Sequence, residues 1–195
     1  TRRVRELKVY SEIFPYDVNV DEINHFSPSG IILSGGPSSV YSDDAYNLSN
    51  DIIDSGLPIL GICYGLQLLV HNLGGRISSK NRGEYGLSEV IFKTNNAIFN
   101  GLKDKSNVWM SHGDEIDKLT NDWDVIAKSD NDVIAAVSHR KTPCFGVQFH
   151  PEVVHTDEGN NIISNFLFNI SGCESSWTSK NFVASSIKKI KSKVG

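Results

Sequence analysis

The chain has 195 residues, 39% of them hydrophobic, a formal charge of −4 and a pI near 5.8, enough for one domain with a sizeable core and an appendage. The acidic balance supplies no basic face for nucleic acid. No apolar run reaches the roughly 18 residues that span a bilayer, and the opening Thr1-Arg-Arg-Val-Arg-Glu6 lacks the apolar stretch of a signal peptide, so a soluble, cytoplasmic protein is expected.

Residues 1–7 are charged, with Val4 and Leu7 at helical spacing, and 8–14 alternate toward strand until Pro15 stops them. Gly30-Ile-Ile-Leu33 and Leu57-Pro-Ile-Leu-Gly-Ile62 are short continuous apolar runs, the mark of strands buried on both faces of a parallel sheet. Helical stretches at 44–55 and 64–73 alternate with them. The β-α-β-α order predicts an α/β layered sheet whose ligands bind at the carboxyl ends of the strands. After Gly74-Gly75 come strand-like pieces at 87–92, 107–110, 123–127, 133–137 and 144–149, so the second half is expected to be rich in sheet. An amphipathic helix over 160–170 precedes Gly172, and the basic segment 187–193 reads as part of a helical linker.

The stretch Gly61-Ile-Cys63-Tyr-Gly65-Leu-Gln67 joins an apolar strand to a helix through a tight turn, holding a thiol at a sharp bend over a helix N-terminus, where the macrodipole favours the thiolate. The alternative is a buried cysteine in a packing turn. The other cysteines, Cys144 and Cys173, have no glycine frame and read as structural; without CxxC spacing the three suggest neither a disulfide framework nor a zinc cluster, and no metal is expected.

A cysteine nucleophile needs a base and a group to orient it. In Gly146-Val-Gln-Phe-His150-Pro-Glu152 a strand ends at a proline, and residues two apart in extended chain point to one side. Glu152 is therefore placed to hold the His150 imidazole; taken alone the pattern favours a buried, hydrogen-bonded structural histidine, and its pairing with the cysteine elbow turns the reading to catalysis. Ser34-Gly35-Gly36-Pro37 ends another buried strand in a turn that lets backbone N–H groups approach a ligand. It is similar to the pyrophosphate loop Ser-Gly-Gly-x-Asp-Ser, but Pro37 and Ser38 break that pattern, so ATP binding here is rejected. Trp109-Met-Ser111-His112-Gly113-Asp114 puts small polar groups and open backbone after an apolar strand, suited to the head of an amino acid. His112 is a rival base, read as a loop residue whose backbone matters, while His139 and His155 read as solvated.

Together and in this order, Ser-Gly-Gly-Pro, Gly-Ile-Cys-Tyr-Gly-Leu-Gln and Gln-Phe-His-Pro-Glu resemble the class I (triad) glutamine amidotransferases over nearly the whole chain. With Val108-Trp-Met-Ser-His-Gly-Asp114, Val153 and His155-Thr156, the set looks like the glutaminase domains of GMP synthetases. The resemblance implies a flavodoxin-like α/β fold with a central, largely parallel sheet flanked by helices. It implies Cys63 as nucleophile, His150 as general base and Glu152 as its orienting carboxylate, with oxyanion N–H groups from Gly36 and Tyr64. Gln67, Ser111, His112, Gly113 and Asp114 match its glutamine-binding positions.

The implied reaction hydrolyses glutamine to glutamate through a thioester, with no cofactor in this domain. The ammonia would pass to an ATP pyrophosphatase domain of the same polypeptide, where ATP and Mg serve the amination of XMP to GMP and through which the enzyme would form a homodimer. By the same resemblance, residues 1–172 form the glutaminase domain, whose first strand is absent here, and 173–195 a connector to the absent partner domain. Alternatives are the amidotransferase component of anthranilate or carbamoyl phosphate synthesis, a catalytically silent regulatory module, and a hydrolase of γ-glutamyl peptides.

Overall fold

The computed structural model of the chain describes residues 1–42, 45, 46 and 48–194. Its strands form one seven-stranded sheet in the order β1-β2-β7-β6-β5-β3-β4. The strands are β1 (Ile31–Leu33), β2 (Ile59–Ile62), β3 (Arg76–Phe92), β4 (Lys105–Lys118), β5 (Trp123–Ser129), β6 (Ile134–His139) and β7 (Cys144–Val147). β1, β2 and β7 run parallel. The remaining pairings are antiparallel, and they come from the sheet-rich second half.

The two faces carry separate cores. In β2, Leu60 and Ile62 enter one cluster with Phe92, Phe99, Phe149, Ile162 and Phe166, under the helices α1 (Arg2–Glu6) and α5 (Gly159–Ser164). Ile59 points the other way, into a cluster with Ile23 of α2 (Val20–Phe26), Ile52 of α3 (Asn50–Asp54), and Leu66, Leu69 and Val70 of α4 (Tyr64–Asn72). This alternation is why β2 reads as a continuous apolar run: all four of its residues are buried. α5 continues into a π-helical turn, Asn165–Ile170, closed by the Ser171 N–H on the Phe166 carbonyl at 2.9 Å. The last helix is α6 (Ser179–Val194), as the basic tail suggested.

Several expectations change. Residues 8–14 form no strand and make no ladder with β1, which among the described residues pairs with β2 alone. Val9 is buried in the core all the same, beside an apolar groove of about 820 Å³ that also borders β1. The helix expected over 44–55 is confined to α3, which starts where Ser49 caps the Asp51 N–H at 3.2 Å; residues 44 and 47 lie outside the described part. α2, capped by Asn19 accepting from the Glu22 N–H, carries too short a pattern to be read beforehand. The supposed loop Ser111 to Asp114 lies inside β4, with Tyr85 opposite Ser111 and Glu84 opposite His112.

Candidate active site

The carboxyl ends of β1, β2 and β7 meet at Cys63. Its N–H continues the ladder to the Val147 carbonyl at 2.8 Å, and its backbone then turns through φ 52° and ψ −108° into α4. A positive φ at a non-glycine residue stores strain, and here it presents the thiol at the bend. The flanking glycines serve close approach. A Cβ on Gly61 would lie 2.5 Å from the Gly65 carbonyl oxygen, and one on Gly65 would lie 2.2 Å from the Leu33 carbonyl oxygen. Helix α4 therefore sits directly on β1 and β2, which fixes where the cysteine points.

His150 follows β7 and is held by its backbone. Its N–H donates to the Trp109 carbonyl at 3.0 Å, and its own carbonyl accepts from the Thr156 hydroxyl at 2.7 Å. The ring Nδ1 meets Glu152 Oε1 at 2.8 Å, leaving Nε2 to bond Cys63. The hydrogen bond to Cys63, then that to Glu152, with the charges of both, outweighs burial and pushes His150 up to about 10. Burial would push the Glu152 carboxyl up, but its hydrogen bonds to His150 and to its own backbone N–H, with nearby positive charge, hold it below the usual carboxylate range. The Glu152 carbonyl accepts from Arg3 Nε at 2.8 Å, so α1 anchors this turn, a contact no sequence motif suggested.

Cys63, His150 and Glu152 are thus brought together as expected. Gly35 lies over them: a Cβ there would stand 3.3 Å from the His150 ring and 3.6 Å from Cys63 Cβ. Gly36 packs toward the Tyr64 and Tyr46 rings. Tyr64 opens α4, in the first turn, whose N–H groups have no intrahelical acceptor. Its ring is buried and its hydroxyl accepts from the Tyr46 N–H at 3.2 Å, so its ring is structural.

Gln67, one turn beyond Cys63, donates through Nε2 to the Asp114 carbonyl at 3.0 Å and to Gln148 Oε1 at 3.4 Å. The Ser111 carbonyl lies 3.6 Å from Cys63 Sγ. The Asp114 carboxylate accepts from the hydroxyls of Ser39, at 2.5 Å, and Tyr41, at 2.6 Å, tying β4 to the loop that follows Gly36. Gly113 leaves β4 open there: a Cβ would first meet the Tyr85 hydroxyl, at 3.3 Å.

His112 corrects the sequence reading. It is a buried strand residue with its Nδ1 3.0 Å from the Asp114 carbonyl and its Nε2 3.4 Å from Glu84 Oε2. Glu84, also buried, accepts from Ser129 and Asn131. The side chain of His112 thus braces β4 against β3 and is not placed as a rival base. Cys144 and Cys173 are unpaired, and burial raises both thiols, in line with structural roles. His139 and His155 are not simply solvated: His139 meets Trp123 edge-on and His155 packs tilted against Trp109, each with ring centroids 4.8 Å apart. No cluster of His, Cys, Asp or Glu among the described residues could hold a metal ion, and no helix among them is long and apolar enough to cross a membrane.

Residues 1–170 match the family described as Glutamine amidotransferase class-I. The chain is 47% identical to the glutamine-hydrolyzing GMP synthase of Brachyspira hyodysenteriae, covering 100% of itself and 38% of that protein. It is 49% identical to that of Thermomicrobium roseum, covering 100% and 36%. It therefore spans little more than a third of the length of these relatives. A solved protein of Thermoplasma acidophilum, assigned as one subunit of a GMP synthase, superposes with TM-score 0.78 at 33% identity, covering 88% of this chain and 85% of that one. A glutamine amidotransferase from Thermotoga maritima shares the fold, with TM-score 0.61 at 21% identity over 72% and 77% of the two chains. The chain belongs to the class I glutamine amidotransferases.

Proposed function

We propose that the chain hydrolyses glutamine to glutamate and ammonia as the glutaminase part of a GMP synthetase. The observation that carries the reading is the contact of the His150 ring with Cys63 on one side and Glu152 Oε1, at 2.8 Å, on the other. The imidazole, bonded to both partners, is placed to take the Cys63 proton as the sulfur attacks. Cys63 Sγ attacks the side-chain amide carbon of glutamine, and the carbonyl electron pair moves onto oxygen. Backbone N–H groups of Gly36 and Tyr64 stabilise that oxyanion, each donor contributing roughly 3–4 kcal/mol in the transition state. Collapse expels ammonia with the proton from His150 Nε2. Water, deprotonated by the same nitrogen, then cleaves the thioester to glutamate and regenerates the thiolate.

Gln67, Ser111, His112, Gly113 and Asp114 form the binding side. The Ser111 carbonyl lies at the sulfur, Gly113 leaves the β4 backbone open two residues on, and the Asp114 carboxylate is an acceptor for the substrate's ammonium. His112 acts here by holding the Asp114 carbonyl.

The ammonia passes to an ATP pyrophosphatase domain of the same polypeptide, which uses ATP and Mg to adenylate XMP and form GMP and carries the homodimer contact. Residues 1–172 are the glutaminase unit and 173–195 the connector, in a cytoplasmic enzyme. The edge of β1, unpaired among the described residues, and its apolar groove fit one further strand of the family's sheet. Glutamate release is to be measured with the full-length protein, glutamine, ATP and XMP. Loss of glutamate release in Cys63→Ala is expected, and full activity in that variant, or none in the parent, overturns the reading.

A further inference from the structure

We propose that Gln148 is a catalytic residue of the cysteine chemistry: its carboxamide N–H donates to the Cys63 sulfur and stabilises the thiolate, in an orientation locked by Gln67. The inference rests on the glutaminase reading above for its consequence in turnover, but not for the hydrogen bond itself. Gln148 follows β7, where Ile62 pairs with Val147, so it is level with Cys63. It is wholly buried. An amide in such surroundings costs free energy unless its polar atoms are satisfied, and an apolar side chain of equal volume would pack at less cost.

Its partners fix which way it faces. Gln67 Nε2 is committed to the Asp114 carbonyl at 3.0 Å, an acceptor only, so Gln67 presents N–H to its surroundings on that side. Gln148 must answer with Oε1, at 3.4 Å, and its Nε2 is thereby turned to Cys63 Sγ, at 3.7 Å. The Asp114 carbonyl is itself held by His112 Nδ1 at 3.0 Å. A buried chain of polar contacts therefore runs from His112 to the nucleophile and delivers a donor, never an acceptor, to the sulfur. A thiolate accepts such a bond far better than a thiol. When the Sγ–H bond breaks, the proton goes to His150 Nε2 and the electron pair left on sulfur is the one Gln148 faces.

Beside the sulfur stands His150, with Glu152 behind it. From α4 comes the Gln67 amide, from β4 the Ser111 carbonyl, and from the β1 loop the uncharged Gly35. Removing the Gln148 donor should therefore be visible in the ionisation of the cysteine.

The test uses full-length protein. Alkylation of Cys63 by iodoacetamide is followed against pH by peptide mass spectrometry, which separates it from Cys144 and Cys173, alongside glutamine turnover. Gln148→Leu should shift the alkylation profile about one pH unit upward and lower kcat about tenfold at neutral pH, with KM within about twofold, taking a charge-assisted hydrogen bond as about tenfold in equilibrium. Should Gln148→Leu fail to fold, the isosteric Gln148→Glu replaces it, and its carboxylate should shift the profile further upward. A profile superimposed on the parent's in the folded variant, or a rise in KM at unchanged kcat, overturns the proposal. Because alkylation needs no glutamine, it is tested even if the parent hydrolyses none.

Discussion

Replacing Glu152 with glutamine removes a charge while keeping a shape that can still accept from His150 Nδ1. The carboxylate meets Nδ1 at 2.8 Å, and its side chain is 42% exposed. A hydrogen bond to a charged group contributes about 1.5–3 kcal/mol, and solvent screening puts this one at the low end. At about 1.4 kcal/mol per pH unit, His150 should titrate at about 9 in Glu152→Gln, against about 10 in the parent. It should fall no further, because the bond to Cys63, the larger cause, survives. The sign for stability follows. A histidine raised above its ordinary 6.5 contributes stability that is fully present below 6.5 and lost as pH rises through about 10. The variant should lose its smaller share about one unit earlier. The assay is an NMR titration of the histidine ring protons, six residues in all, with glutamine turnover measured over the same range. A His150 that titrates in Glu152→Gln where it does in the parent, or higher, would refute the argument.

Three further outcomes follow from the packing. Gly65→Ala drives a Cβ to 2.2 Å from the Leu33 carbonyl oxygen, so α4 and β1 must part; a loss of about 3 kcal/mol or more, roughly 6–12 °C in Tm, should appear by calorimetry. Glu84→Leu strands Ser129 and Asn131 and should cost about 3–5 kcal/mol in urea unfolding. Glu84→Gln should cost below about 1 kcal/mol, since an amide can both accept from Ser129 and donate to His112 Nε2. Asp114→Asn can accept from only one of the Ser39 and Tyr41 hydroxyls, and KM for glutamine should rise about 3- to 10-fold with kcat within about twofold.

What could be read from the sequence is what neighbours in the chain determine. The β2–Cys63–α4 elbow is legible because a buried run, two glycines and an amphipathic helix are contiguous, and their close contacts are made within a few residues. His150 and Glu152 are legible because they stand two residues apart, although a turn at Pro151 and Glu152, not the extended chain expected, brings the carboxylate to the ring. The roles of His112 and Gln148 are not legible, because each depends on strand register. Glu84 stands opposite His112 only because β3 shifts register between Ser79 and Glu84. Gln148 reaches Cys63 only because β7 pairs beside β2, from 85 residues away. The failed strand at 8–14 shows the same limit, since alternation marks a segment able to join a ladder but does not decide whether it pairs. In each case the local pattern was sound and the non-local partner decided, which is why the nucleophile could be named from its own loop while the amide that faces it could not.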